Sequence, residues 1–206
     1  MRKSNMKVNI CIICEGNEEF RYLKRLKELN VWNKNYSVKL INADSIDNIA
    51  PRYQYTLSTN SYDLIFVFCD TETEPYEQFN ILIQKINDLY GTRKASNNLI
   101  FFANPCTMQI ILSHFDKLRL ATNKKSVNGK LIEKLTGISE YRATSKQLDK
   151  LNKMISPKNY AVMKTNLEDI SNDPMVLPSS NFLLFLAHLE SEDTNWVKKL
   201  RRMIGI

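Results

Sequence analysis

The chain has 206 residues, 43% hydrophobic and 25% charged, with a net charge of +7, a balance typical of a globular protein that buries a sizeable core. No apolar run approaches the roughly 18 to 20 residues of a membrane-spanning helix, and the first apolar run is too short for a secretory signal. We therefore expect a cytoplasmic protein with no membrane association.

The first half of the chain alternates between apolar strands and amphipathic helices. Strands are predicted at residues 8–14, 37–41, 62–69 and 99–103. Helices are predicted between them at residues 18–30, 44–57 and 73–90, and Pro51 predicts a break or kink in the second. This alternation indicates an α/β fold with a mostly parallel four-stranded sheet flanked by helices.

After Pro105 the pattern is helical. Helices are predicted at residues 106–120, 131–135, 145–155, 160–169, 180–189 and 194–203. Ser145 and Ser180 are predicted N-caps. We expect an α/β domain over residues 1–104 and a helical C-terminal region over residues 105–206 that packs on or caps the sheet.

Four cysteines raise the question of a metal or redox site. Cys11 and Cys14 form a C-x-x-C, but residues three apart on a strand point to opposite faces, which does not suit a shared ligand. Cys69 and Cys106 lie in or just after apolar runs. We predict four buried, reduced thiols, with a metal role as the alternative.

The positive charge is concentrated in the middle of the chain. Residues 1–110 carry 13 Lys and Arg against 12 Asp and Glu, residues 111–164 carry 12 against 4, and residues 165–206 carry 4 against 6. The excess is therefore +1, +8 and −2. A basic segment beside an acid-containing α/β half favours a polyanion that one part holds and the other acts on. A solvated Lys-rich helical surface explains the charge equally well.

Acidic residues follow two of the predicted strands. Glu15 ends the first and is followed by Gly16, which allows a sharp turn or a positive φ, and Asp70 and Glu72 end the third. In a parallel sheet these ends share one edge, so the three carboxylates converge if the two strands are neighbours. Carboxylates so close repel one another unless a hard cation neutralises them. We predict a Mg²⁺ site for phosphate chemistry, with Mn²⁺ as an alternative metal.

These acids also resemble a known pattern. A strand that ends in Glu15-Gly16 with Glu19 following, and a strand that ends in the acid-x-acid pair Asp70 and Glu72, is similar to the Toprim domain. That domain occurs in topoisomerases, primases, small RNA-maturation nucleases and overcoming-lysogenization-defect nucleases. Its last acid is usually Asp, whereas this chain has Glu72.

A further block is most similar to the RloB-like group of Toprim proteins, which continues with N-P-C-F-E-x-W-L-L-L-H-F. Residues 104–115 read NPCTMQIILSHF. The shared residues are Asn104, Pro105, Cys106, Leu112, His114 and Phe115. The blocks follow in the same order over residues 8–115, about half of the chain. Thr107, Met108 and Ile110 depart from the pattern, so an acid and an aromatic residue are missing.

The resemblance implies a set of site residues. Glu15, Asp70 and Glu72 would be the catalytic and metal-binding residues, with Asp70 and Glu72 holding Mg²⁺ and Glu15 acting as general acid/base or as a further ligand. Residues implied in binding are Gly16, Glu19, Asn104 and His114. A lone His on an apolar helix is more often a hydrogen-bonded core residue.

The expected function is a metal-dependent nuclease acting on DNA or RNA, in mobile-element or phage defence. The alternative is a catalytically weakened Toprim module that binds nucleic acid or a partner protein without turnover, because Met108 replaces the Glu of the group. A phosphohydrolase of small nucleotides would use the same acids. The chain has no G-x-x-x-x-G-K-[ST] motif, so any ATPase would be a partner protein.

Overall fold

A five-stranded sheet forms the centre of the computed structural model, which describes residues 7–72 and 74–206. The strands are β1 (Val8–Cys14), β2 (Tyr36–Asn42), β3 (Leu64–Asp70), β4 (Ile100–Asn104) and β5 (Ser179–Ser180). Their order is β2-β1-β3-β4-β5, and only β5 is antiparallel to its neighbour. The predicted α/β fold with a mostly parallel sheet is confirmed. The predicted strand number is wrong, because the two residues of β5 add a fifth strand.

Helices occupy most of the remaining described chain. They are α1 (Asn17–Glu28), α2 (Ile46–Ser58), α3 (Glu77–Tyr90), α4 (Lys94–Leu99), α5 (Met108–Leu112), α6 (Lys125–Thr136), α7 (Ser145–Lys153), α8 (Pro157–Leu167), α9 (Phe182–Glu190) and α10 (Asn195–Ile204). The short helix α4 was not anticipated by the sequence pattern. α2 continues through Pro51, so the predicted break is wrong. Thr73, the predicted start of the third helix, lies outside the described residues.

The helix predicted over residues 106–120 is much shorter in the structure. α5 has only five residues, and beyond it the Ser113 hydroxyl donates to the carbonyl of Gln109 (2.7 Å). The Gln109 side chain then binds the backbone that follows, since it accepts from the Leu120 N–H (2.7 Å) and donates to the Leu118 carbonyl (3.1 Å). A buried amide that satisfies loop backbone groups thus replaces the expected helical turns.

The helix predicted from Ser180 begins at Phe182 instead, because Ser180 belongs to β5. The Ser180 hydroxyl donates to the Phe102 carbonyl (2.7 Å) and accepts from the Phe182 N–H (3.1 Å). The Ser180 side chain therefore connects β4 to the N-terminus of α9.

Two layers of helices cover the sheet. On one face, the Phe182 ring of α9 lies 5.1 Å from the ring of Phe68 on β3 and 5.7 Å from that of Tyr22 on α1. On the other face, the α3 residue Phe79 lies 5.8 Å from Phe102 on β4. Both faces of the central strands are therefore buried, which explains why those strands are continuous apolar runs.

The second half of the chain also holds α1 in place. The Arg25 guanidinium donates twice to the carbonyl of Ile155, at 3.1 and 2.8 Å, and Arg21 pairs with Asp149 of α7. One continuous set of buried apolar side chains runs through both halves. The predicted domain boundary between residues 104 and 105 stays a prediction.

All four cysteines are buried and free of disulfides, as predicted. Burial raises the pKa of the Cys11 thiol to about 12, so it stays protonated at neutral pH. In the described parts of the chain, no helix has both the length and the apolar character needed to span a membrane.

Candidate active site

The candidate site lies at the carboxyl ends of β1 and β3. These two strands are parallel neighbours, and the chain passes from β1 to β2 on one side before it returns to β3 on the other. Ligands of open α/β sheets bind where the strand order reverses in this way. The Glu15 N–H donates to the Phe68 carbonyl (3.0 Å), and the Glu15 carboxylate accepts from the Asp70 N–H (3.0 Å). The two predicted acids are therefore brought together.

Thr107 fixes the carboxylate of Asp70. Its backbone N–H donates to Asp70 Oδ1 at 2.6 Å, and its hydroxyl donates to the same oxygen at 2.7 Å. Thr107 is fully buried at the turn between β4 and α5. The rotamer of Asp70 is thus set by a residue from the block in which this chain departs from the RloB-like pattern.

Glu19 caps the helix that follows β1. It is buried, and its carboxylate accepts from the Gly16 N–H at 2.9 Å, which satisfies one of the free donors at the start of α1. Gly16 has φ −146° and ψ −162°, so the positive φ allowed for in the sequence analysis is not used. A Cβ at this position would lie 3.4 Å from Glu19 Oε2, an ordinary contact.

Glu72 also lines this pocket, but it does so through a backbone turn that the sequence pattern did not predict. An extended chain from Asp70 to Glu72 would point both side chains the same way. Instead Thr71 is buried and donates its N–H to the Ala103 carbonyl (3.0 Å), and Glu72 adopts a left-handed φ of 62°. Glu72 is exposed at the rim of the pocket.

Both halves of the chain line this cavity, here called the acidic pocket, which has a volume of about 370 Å³. Its acids are Glu15, Glu18, Glu19, Asp70 and Glu72. The opposite wall comes from the second half and includes Met108, Lys125, Asn128 and Tyr141. The Lys125 ammonium lies 3.8 Å from Glu18 Oε1, and the Tyr141 hydroxyl donates to the same oxygen at 3.5 Å.

Burial, together with the charges of neighbouring acids, raises the pKa values of Glu15, Asp70 and Glu18. Burial raises the pKa of Glu15 to about 8, and the charge of Glu19 adds to the effect. Burial likewise raises the pKa of Asp70 well above its usual range, followed by the charges of Glu19 and Glu15. The pKa of Glu18 rises to about 7 through burial and Glu19, although Lys125 opposes the shift. Such a cluster favours any cation that enters it.

The donor set fits a hard divalent cation such as Mg²⁺, because every donor is a carboxylate oxygen. Within residues 7–72 and 74–206, no group of three or more His, Cys, Asp or Glu side chains is placed to hold a metal ion alone. Mg²⁺ needs only one or two carboxylates when water and phosphate complete its shell. Glu15 and Asp70 fit that need, because each keeps one oxygen free of hydrogen bonds to the described residues.

Two further predicted residues lie away from the acidic pocket. The Asn104 side chain is buried and donates to the carbonyls of Pro174 and Val176, at 2.8 and 3.1 Å. His114 is fully buried and shares a 2.9 Å hydrogen bond with the Tyr22 hydroxyl. Burial lowers the His114 pKa to about 3, so the ring is neutral at physiological pH. Neither side chain lines the pocket, and both hold packed elements together.

Sequence reasoning missed several residues of the pocket. Glu18 carried a signal, because it follows Glu15-Gly16 in the first turn of a helix. In the sequence, Thr107 stands out only as a departure from the RloB-like pattern. Lys125 and Tyr141 carry no local signal, because they reach the pocket through the packing of the second half.

Comparisons of the chain with protein-family models, curated proteins and solved structures give no match.

Proposed function

We propose that this protein is a Toprim-type, metal-dependent nuclease that acts on the phosphodiester bonds of DNA or RNA. The observation that carries the proposal is the pairing of Glu15 and Asp70 at the switch point of the sheet, where the Glu15 carboxylate accepts from the Asp70 N–H (3.0 Å). The resemblance of residues 8–115 to RloB-like proteins supports the same activity.

The residues of the pocket suit phosphoryl chemistry. A bound Mg²⁺ would neutralise phosphate charge and activate a water molecule. Asp70, held by Thr107 at 2.6 and 2.7 Å, has a fixed carboxylate to hold the cation, with Glu15 or Glu72 as its partner. In the pocket without a cation the pKa of Glu15, about 8, lies close to neutral pH, which suits a general acid/base when Asp70 and Glu72 hold the cation. Lys125 would offset the negative charge of a phosphate in the pocket.

A cleavage assay tests the proposal. The purified protein is incubated with labelled DNA and RNA, with and without Mg²⁺ or Mn²⁺. We expect metal-dependent cleavage that falls by at least about 100-fold in Asp70→Asn and in Glu15→Gln, since even residues that only orient metal ligands cost 10- to 100-fold. Glu168→Gln removes an exposed carboxylate outside the pocket and serves as the matched control. Equal cleavage by all four proteins would refute the assignment.

A second candidate function has its own observation. Met108 is buried and lines the acidic pocket at the position where RloB-like proteins carry Glu. If that Glu is needed for turnover, the protein would be a Toprim module that binds nucleic acid or a partner protein without cutting. This function would be favoured over the first by two results together. The unmodified protein would bind nucleic acid in a salt-sensitive manner without cleaving it, and Met108→Glu would gain cleavage.

The wider setting follows from the same resemblance. Nucleases of this kind would act in mobile-element or phage defence, with any ATPase supplied by a partner protein. A phosphohydrolase of small nucleotides would use the same acids. Turnover of mononucleotides with no cleavage of polynucleotides would select that alternative.

A further inference from the structure

A second groove opens beside the acidic pocket. It lies between α6 and the segment of residues 140–142, has a volume of about 400 Å³, and is here called the α6 groove. Lys125 and Tyr141 line both the acidic pocket and the α6 groove. The two cavities are therefore adjacent, and a ligand longer than one phosphate could occupy both.

The charge changes sign between the two cavities. The acidic pocket has five carboxylates and one cation, whereas the α6 groove is lined by three cations, Lys125, Lys130 and Arg142, and two acids, Glu133 and Glu140. Lys130 and Arg142 are exposed and form no ion pair with any residue of the described chain. Their charges are therefore available to an anion.

The start of α6 adds to this positive field. α6 has 12 residues and begins at Lys125 without a side-chain cap and without an acid in its first turn. The partial positive charge at a helix N-terminus is normally offset by such a cap or acid. Lys125, at the junction of pocket and groove, is paired with Glu18 (3.8 Å), so the free positive charge of the groove comes from Lys130, Arg142 and the uncapped start of α6.

The geometry points to a phosphate-binding subsite in the α6 groove, in which Lys130 and Arg142 contact the backbone of a polynucleotide whose reactive phosphate lies in the acidic pocket. This inference rests on the proposed function and adds a second binding position for the polynucleotide backbone, which a mononucleotide cannot use because it has no neighbouring phosphodiester to place in the groove. Contacts to the backbone alone would make the subsite insensitive to base sequence.

Binding of fluorescently labelled single-stranded DNA and RNA, measured in EDTA over a series of salt concentrations, tests the subsite. Each phosphate contact contributes about 0.7 to the slope of log K against log salt. We expect Lys130→Gln/Arg142→Gln to lower the slope by about 1.4. Between 1 M and 0.1 M salt, the affinity of the variant should therefore rise about 25-fold less than that of the unmodified protein. The DNA and RNA arms show which backbone the groove prefers.

A matched control removes the same charge elsewhere. Lys198 and Lys199 are exposed on α10, whose Arg201 donates to the Asp63 carbonyl (2.8 Å) before the start of β3, at the end of the sheet opposite the acids. We expect Lys198→Gln/Lys199→Gln to bind as the unmodified protein does. The subsite would be overturned if both double variants weakened binding equally, or if neither variant weakened it. If the groove variant misfolds by circular dichroism, Arg142→Gln alone is expected to lower the slope by about 0.7.

The subsite and the nuclease can fail separately. If the groove variant binds normally while the unmodified protein cleaves with Mg²⁺, the subsite is refuted and the nuclease stands. If the groove variant loses binding while no metal supports cleavage, the subsite stands and the nuclease is refuted. Competition by a mononucleotide as strong as that by an oligonucleotide would refute the polynucleotide as the occupant of the groove.

Discussion

The two walls of the acidic pocket are built in different ways. Glu15 and Asp70 lie at the ends of hydrogen-bonded strands, so the register of β1 and β3 fixes their backbones. Lys125 and Tyr141 come from helical and loop segments of the second half, whose positions depend on side-chain contacts: the shared core, and the contacts of both residues with Glu18. The acids are thus held by backbone hydrogen bonds and the facing wall by side-chain contacts. Glu15 and Asp70 of the first wall can be predicted from local sequence, whereas the second wall depends on the whole fold.

The largest expected effect concerns the packing that joins the two halves. Phe182 of α9 is fully buried against Phe68 of β3, at 5.1 Å between ring centres. We expect Phe182→Ala to lower the free energy of unfolding by about 3 to 5 kcal/mol, through lost burial and the cavity left behind. Leu184→Ala, on the exposed side of the same helix, should change it by less than about 1 kcal/mol. Urea denaturation measures both.

The number of unfolding transitions in that experiment tests whether the two halves of the chain fold as one unit. Because one buried core runs through both halves, we expect a single cooperative transition in the unmodified protein and in Phe182→Ala. Two separate transitions, with only one shifted by Phe182→Ala, would show that the halves fold independently.

The acidic wall should make stability depend on pH and on metal. The folded-state pKa values of Glu15 and Glu18, about 8 and 7, lie above the ordinary value of 4.5. Their contribution is therefore fully present below pH 4.5 and is lost as the pH rises through 7 and 8. In EDTA the thermal midpoint should fall across this range.

Added Mg²⁺ should counteract that loss. At 100 times its dissociation constant, Mg²⁺ should stabilise the protein at pH 8 by about 2.7 kcal/mol. In Asp70→Asn this gain should be largely absent. Equal stabilisation of both proteins by Mg²⁺ would place the cation outside the acidic pocket.

Thr107 links the two walls, since it belongs to the second half and binds Asp70 of the first. We expect Thr107→Val to weaken Mg²⁺ or Mn²⁺ binding by about 10- to 100-fold, because Asp70 loses the 2.7 Å hydroxyl bond that orients its carboxylate. Thr107→Ser keeps the hydroxyl and should bind nearly as the unmodified protein does. Titration calorimetry measures these affinities, and equal affinities for Val and Ser would exclude an orienting role.

The smallest expected effect is at Gly16. Its φ of −146° suits any residue, and an added Cβ would meet only Glu19 Oε2, at 3.4 Å. Because Ala is a poorer N-cap than Gly, we expect Gly16→Ala to destabilise the protein by less than about 1 kcal/mol in urea denaturation. A loss of more than about 2 kcal/mol would show that the turn after β1 needs glycine.

Local sequence was sufficient for the four parallel strands and for Glu15 and Asp70 at the edge of the sheet. A strand buried on both faces must be continuously apolar, so β3 could be recognised from its residues, and Asp70 marks the point where it ends. The convergence of Glu15 with Asp70 then follows from parallel neighbours sharing one edge. Periodicity could not reveal β5, because two residues carry no alternation.

Tertiary contacts decided the features that sequence could not supply. Gln109 ends α5 by binding backbone groups of residues 118 and 120, although the apolar spacing continues as in a helix. Thr107 and Asp70 are 37 residues apart, and no local pattern links a buried threonine to a distant acid. Glu72 turns through a left-handed φ that its own sequence does not demand.

The two hydrogen bonds between Arg25 and the Ile155 carbonyl have a consequence for protein engineering. α1 carries Glu18 and Glu19 at one end, while Arg25, almost two turns further on, is tied to the second half through two hydrogen bonds. The second half of the chain therefore fixes the C-terminal part of α1, while the first turn of α1 carries two carboxylates of the acidic pocket. A chimera that replaces the region after Pro105 would have to supply a carbonyl at the position of the Ile155 carbonyl. Without that carbonyl, the orientation of α1 would change, and with it the positions of Glu18 and Glu19.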